Sequence, residues 1–399
     1  MVSLLPVFPA APARLWSLDV LRGVCAGIVF LSHWHLWSDF RPQGIFERFI
    51  HELGTNLHDT LAYLTWPTGG HHPAVLGFFV LSGFCIHYPF ERRALAGEPT
   101  PKWSDYFRRR FFRIMPVYWA ACALGAAFVL AQQSWPAPSE LLTLHADGSL
   151  SDIMVRVTGI AGIYPKEIFA GNYILTTVTV EMFMYALYPL IHRAAIRGAW
   201  VSLGLIFLLS HGFSVGLLRF FTPYWVFNSV FMLGLFWYAG ALAAHLFLTR
   251  RRSVSWLWVL LVWAVFLGVK ALPSFSGLNL LKQALWGVVC MVGILAVLRL
   301  DQARPELARE RPIRVMLWLG GISYSLYALH TPAIMLGSWA LLHLGLTSYP
   351  LQLAVTMSAS LTATLGVYYG VERYFYRPTP PSAPPRFRPA RVGTSRSIA

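Results

Sequence analysis

The chain has 399 residues, of which 56% are hydrophobic and only 12% are Asp, Glu, Lys or Arg. That charged share is about half of what a soluble domain carries, too little to cover a water-facing surface without large apolar patches. A soluble globule, a collagen-like or disulfide-rich chain and a wholly disordered chain are excluded, and a polytopic membrane protein is expected.

The net charge is +15. In a soluble protein this would suggest nucleic acid. Here basic residues are expected in cytoplasmic loops and beside anionic headgroups, and no Cys/His finger or RNA-binding aromatic motif points to nucleic acid. Cys25, Cys85, Cys122 and Cys290 fall inside apolar stretches without CxxC spacing, so no metal site and no disulfide framework is expected. The first residues carry three early prolines and no positive charge ahead of the apolar ones. They read as a short cytoplasmic segment, 1–14, and as a poor signal peptide.

Ten segments follow that are apolar enough to span a bilayer, which takes roughly 20 residues as helix. In chain order they lie near 15–37, 74–90, 112–132, 173–191, 199–217, 224–248, 254–271, 278–298, 315–341 and 350–371. With the N-terminus inside, 24 of the 32 Lys and Arg fall on the cytoplasmic side. Seven fall outside (Arg41, Arg48, Arg156, Lys166, Arg219, Lys270, Lys282), and Arg22 lies within the first segment. This alternation predicts an all-α transmembrane bundle of about ten spans with both termini cytoplasmic, because a missed span would invert every later loop. Residues 15–378 form that domain, and the Pro- and Arg-rich stretch 379–399 reads as a disordered cytoplasmic tail. The outside loops 38–73 and 133–172 are long enough to cover a site or to serve as plain connectors.

Ionisable groups inside hydrocarbon are expensive and mark candidate sites. Arg22 and His33 are eleven residues apart, almost three helical turns, and so face the same way about 16 Å apart along the axis. A guanidinium suits a phosphate and an imidazole suits proton transfer near neutral pH. The spacing also fits a snorkelling arginine and a histidine bonded to a neighbouring helix. Arg110 and Arg113 are i,i+3 neighbours in an arginine cluster at the start of the third span, which fits a phosphate pocket or a positive-inside anchor. Glu181, with Tyr185 one turn on, stands in an otherwise apolar helix, where an unpaired carboxylate is costly. Asp19, Ser82, Tyr324 and His330 complete the polar candidates, and helix packing explains His330 equally well.

Six blocks, taken in order, resemble the integral-membrane acyltransferase 3 family, the O-acyltransferases of bacterial surface glycans. They are SLDVLRGVCAGIVFLSHW (17–34), GFFVLSGFCIHY (77–88), YFRRRFFRIMPVYW (106–119), VEMFMYALYPLI (180–191), LGGISYSLYALHTP (319–332) and ERYFYRP (372–378). The chain departs from the family pattern at TTVTV before Glu181, at Met182 after it, and at Tyr374 after Arg373. The resemblance implies a ten-helix acyltransferase of the bacterial inner membrane. It implies His33 as catalytic histidine with Arg22 as its motif partner, and Arg110 and Arg113 handling the donor. Ser82, Glu181, Tyr324 and His330 match recurrent positions. The expected co-substrate is acyl-CoA, acetyl-CoA being commonest, and the expected acceptor is a glycan or lipid-linked sugar.

On this reading CoA phosphates dock on Arg110, Arg113 and Arg22, and the pantetheine arm, with roughly the reach of three helical turns, presents the thioester near His33. His33 then acts as general base or forms an acyl-histidine; Glu181 or Asp19 orients it, and Ser82 or Tyr324 donates to the oxyanion. A transporter or flippase of a lipid-linked sugar also accounts for the spans and buried charges, but not for six ordered motifs. The lack of an internal repeat counts against an inverted-repeat transporter.

Overall fold

A computed structural model describes residues 15–36, 45–67, 72–135, 158–159, 172, 174–216, 225–250, 254–273 and 275–375. The segment 1–14, the tail 379–399 and most of the loop 133–172 lie outside the described residues. Within them the structure is helical without strands, as long apolar runs free of period-two patterning require. The helices are α1 (Trp16–Leu36), α2 (Ile45–Thr65), α3 (Pro73–Leu95), α4 (Trp103–Ser134), α5 (Leu175–Ala195), α6 (Trp200–Gly216), α7 (Trp225–Arg250), α8 (Trp256–Lys270), α9 (Ser276–Ala303), α10 (Arg311–His343) and α11 (Tyr349–Val367). A π turn, Tyr368–Glu372, and a final turn, Arg373–Phe375, extend α11.

Each of the ten apolar segments is a helix. Among the described residues five helices are long and apolar enough to cross a membrane by length and composition: α3, α4, α7, α9 and α11. Two more, α6 and α8, are apolar but shorter.

Two expectations are corrected. The segment 38–73 is not merely loop, because α2 fills most of it. Its apolar residues are interrupted by Glu47, Arg48, Glu52 and Asp59, too polar for a span, yet Phe46, Phe49, Leu53, Leu57 and Leu61 recur at helical spacing and are exposed. The C-terminal end of α2 is clamped by α8: Lys270 Nζ donates to Ala62 O at 2.8 Å, where a cation meets the helix dipole, and Trp263 Nε1 donates to Leu64 O at 2.9 Å. The arginine cluster also does not start its helix. Trp103 begins α4, so Arg110 lies about two turns and Arg113 nearly three turns inside it.

Helix directions follow from cross-helix contacts. Asp19 meets Gly320 and His33 meets His330, so α1 and α10 run parallel. Tyr324 meets Ile114 and Trp339 meets Trp135, so α4 runs with them. Ser32 meets His72, so α3 runs back. Ser82–Glu181 and His87–Tyr188 place α5 parallel to α3, and Val80–Gly240 with Glu91–His245 does the same for α7. Ser17 meets Asp301, and Cys25 lies near Cys290, so α9 runs against α1. Ser338–Gln352 with Ser325–Glu372 turns α11 against α10. The antiparallel pairs α6/α7 and α8/α9 complete an alternation that skips only α2.

One end of the bundle gathers Arg92, Arg93, the α4 arginines, Arg193, Arg299, Arg304, Arg311 and Arg314, while the opposite end carries His33, His72 and His330. At the arginine end Asp301 accepts from the Ser17 backbone N–H at 3.2 Å and from its hydroxyl, tying the start of α1 to α9.

Two crossings bring backbones into contact. A Cβ on Gly23 would lie 2.2 Å from Met316 O, and one on Gly320 would lie 2.0 Å from Asp19 O. Between α3 and α7, a Cβ on Gly83 would lie 1.9 Å from Trp237 O, and one on Gly240 would lie 1.8 Å from Val80 O. Only glycine permits such approach, the small-residue device of membrane helix packing. These crossings place Arg22 and Ser82, the immediate neighbours of Gly23 and Gly83, against the same interior space.

Candidate active site

That space is a cavity of about 90 Å³ between α1, α3, α4, α5 and α10. Arg22, Arg110 and Arg113 line it together with Ser82, Glu181, Tyr185 and Tyr324. Seven side chains picked out along 300 residues of sequence therefore converge. The remaining wall is largely apolar and includes Val75, Phe78, Phe79, Ile86, Ile114 and Val178.

Each polar group is held in a definite way. The Arg110 guanidinium lies over the Tyr185 ring, 5.5 Å from its centroid, and over the Tyr106 ring at 5.8 Å, both within cation–π range. Its Nε is buried and has no hydrogen-bond partner among the described residues. A buried guanidinium donor left open in this way is suited to an anionic ligand. Arg22 forms an ion pair with Asp19 at 2.8 Å, one turn earlier on α1. Glu181 Oε1 accepts from Ser82 Oγ at 2.8 Å and from the Tyr185 hydroxyl, linking α3 to α5.

The expected roles of several groups need correction. Glu181 spends its carboxylate on Ser82 and Tyr185, and Asp19 faces Arg22. Among the described contacts His330 meets the His33 ring, its Nε2 lying 2.8 Å from His33 Nδ1 with the rings nearly parallel. Nor is Tyr324 an open oxyanion donor: its hydroxyl donates to Ile114 O at 3.0 Å. The Ser82 hydroxyl is likewise committed to Glu181.

His33 and His330 do not line the cavity. They lie one step further along α1 and α10, beyond Tyr327 and Phe78, whose rings meet at 5.8 Å. Tyr327 borders the cavity on one side and lies 6.1 Å from the His330 ring on the other. Its hydroxyl donates to Thr177 at 2.6 Å, since Thr177 Oγ1 gives its own proton to Ile174 O. Sequence reasoning did not single out Tyr327 or Tyr106. The first carries a signal, because Tyr324, Tyr327 and His330 recur every three residues in SYSLYALH; the second has none beyond its place in the arginine block.

Around the histidine pair, His72 Nδ1 accepts from the Ala74 N–H at 3.2 Å and so caps α3, while Nε2–H donates to Ser32 Oγ at 3.2 Å. Burial, with His58 nearby, pushes His72 down to about 4. Trp66 packs edge-on against it at 4.9 Å. Among the described residues no group of three His, Cys, Asp or Glu side chains is placed to hold a metal ion.

A protein of Acidianus two-tailed virus, named as an acetyltransferase, is similar to this chain, with 23% identity over 238 residues. The match covers 57% of this chain and 64% of the viral protein, less than two thirds of that relative's length. No solved structure matches. The family model described as an acyltransferase domain matches residues 15–369, a stretch that contains every helix lining the cavity and both members of the histidine pair. The chain belongs to the acyltransferase 3 family.

Proposed function

We propose that the chain is an integral-membrane O-acyltransferase that carries an acyl group, typically acetyl, from cytoplasmic acyl-CoA to a hydroxyl of an extracytoplasmic or lipid-linked glycan. The observation that carries this reading is the convergence of Arg22, Arg110 and Arg113 on one otherwise largely apolar cavity. Three guanidinium groups suit the phosphates of CoA, and apolar walls suit the pantetheine arm.

His33 is the base. The acceptor hydroxyl gives its proton to His33 Nε2 as its oxygen attacks the thioester carbonyl. The C–S bond breaks, and the departing thiolate takes the proton back from the imidazolium. An ester and free CoA thiol leave, and His33 is regenerated.

The bundle crosses the membrane ten times with both termini cytoplasmic, in the bacterial inner membrane. Support comes from the strict alternation of helix directions and from the gathering of arginines at one end, as cytoplasmic anchoring demands. On this orientation the cavity faces the donor's compartment and the histidine pair faces the acceptor's.

Purified protein in lipid nanodiscs, given acetyl-CoA and a glycan acceptor, tests the proposal. Free thiol and a glycan ester are expected in equal amounts, and His33→Ala is expected to abolish both while the protein stays folded in the nanodisc. Thiol release undiminished in His33→Ala would refute the base assignment. Movement of a lipid-linked sugar across the bilayer without thiol release would replace the reading with a transporter.

A further inference from the structure

We propose that His330 is a positioning residue for His33, fixing the tautomer in which His33 Nε2 carries the lone pair; this rests on the assignment of His33 as base. The argument starts from a carbonyl. His330 Nδ1 lies 2.9 Å from Leu326 O, one turn earlier on α10. A carbonyl oxygen only accepts, so His330 Nδ1 bears the proton. In a neutral imidazole the other nitrogen is then an acceptor, and His330 Nε2 lies 2.8 Å from His33 Nδ1. His33 Nδ1 must therefore donate, which leaves Nε2 as the basic nitrogen. The direction of one backbone carbonyl is relayed through two rings to the atom that receives the proton.

The surroundings keep the relay in register. His330 is fully buried. The Phe30 ring meets it edge-on at 6.1 Å and Tyr327 packs at the same distance. The crossing at Gly23 and Gly320 sets the distance between the two helices that carry the pair. A carboxylate commonly orients a catalytic histidine and also stabilises its cationic form. A neutral imidazole in that place fixes the tautomer without adding a negative charge.

Three His330 variants of the full-length protein, read by steady-state kinetics, separate this role from packing. Gln keeps a side-chain acceptor, Met matches it in length but offers only a weak sulfur acceptor, and Leu offers none. His330→Met and His330→Leu are expected to lower kcat by about 100-fold or more, the scale of misoriented general-base catalysis, with KM for acetyl-CoA changed less than about twofold. His330→Gln is expected to recover kcat to within about tenfold of wild type. Because Gln and Met are alike in length, their difference reports the acceptor even if both lower stability. Equal kcat for Gln and Met, or wild-type kcat for Leu, would overturn the proposal. A shared rise in KM for acetyl-CoA would do so as well, by placing His330 in donor binding. Full activity in His33→Ala would remove the base reading itself, and the role of His330 with it.

Discussion

At the scale of single residues, Arg110 is held in a way that only a flat cation can use. Its guanidinium lies over the rings of both Tyr106 and Tyr185. Lysine keeps the charge but cannot stack as a plane, so Arg110→Lys is expected to raise KM for acetyl-CoA about tenfold, with kcat affected less. Tyr324 gives the opposite expectation. Its hydroxyl is already bound to Ile114 O, so Tyr324→Phe should change kcat by less than about threefold, whereas loss of a true oxyanion donor lowers it by about 100-fold. Which charged residues gather at the cavity was largely legible in the chain, because Arg22, Arg110, Arg113 and Glu181 are charges where lipid tolerates few. Which residues touch was not. Glu181 and Tyr185 are i,i+4 neighbours and could be paired by spacing, but Ser82 and Glu181 are 99 positions apart and His33 and His330 are 297 apart. Partners at such separation are set by helix packing, so neither the Ser82–Glu181 bond nor the His33–His330 pair could be read from spacing.

At the scale of elements, the entry into α3 depends on a neutral histidine. His72 caps the helix through an unprotonated Nδ1, and its value of about 4 lies below that of an exposed histidine. Between about 4 and 6.5 the unfolded chain binds more protons than the folded one, so this contribution to stability rises with pH and is lost as pH falls through that window. Melting temperatures in detergent should drop across it, and His72→Asn, which can cap without titrating, should drop less. The glycine crossings give a second test. Gly320→Ala would force a methyl group against Asp19 O and part α1 from α10, so a fall of several degrees in melting temperature is expected together with loss of transfer. In the sequence these glycines read only as parts of motifs, since their partners lie on distant helices. The ten apolar helices were legible from hydropathy alone, but α2 was not, because its polar and apolar residues average out and only their spacing on a helix separates them.

At the scale of the molecule, alternating helix directions and a basic end make one orientation testable. A reporter active only outside the cytoplasm should be silent when inserted near 251–253 and active near 273–275, because α8 separates these sites. Equal activity at both would remove α8 from the count of spans. The paired glycine crossings carry a further consequence. With α1 against α10 and α3 against α7 at backbone contact, the walls behind Arg22 and Ser82 have no slack to spread. On the proposed function, a relative that accepts a bulkier donor would gain room by trimming side chains such as Phe78 or Phe79. Chain-length preference would then be a trait that drifts by single substitutions while the scaffold stays unchanged.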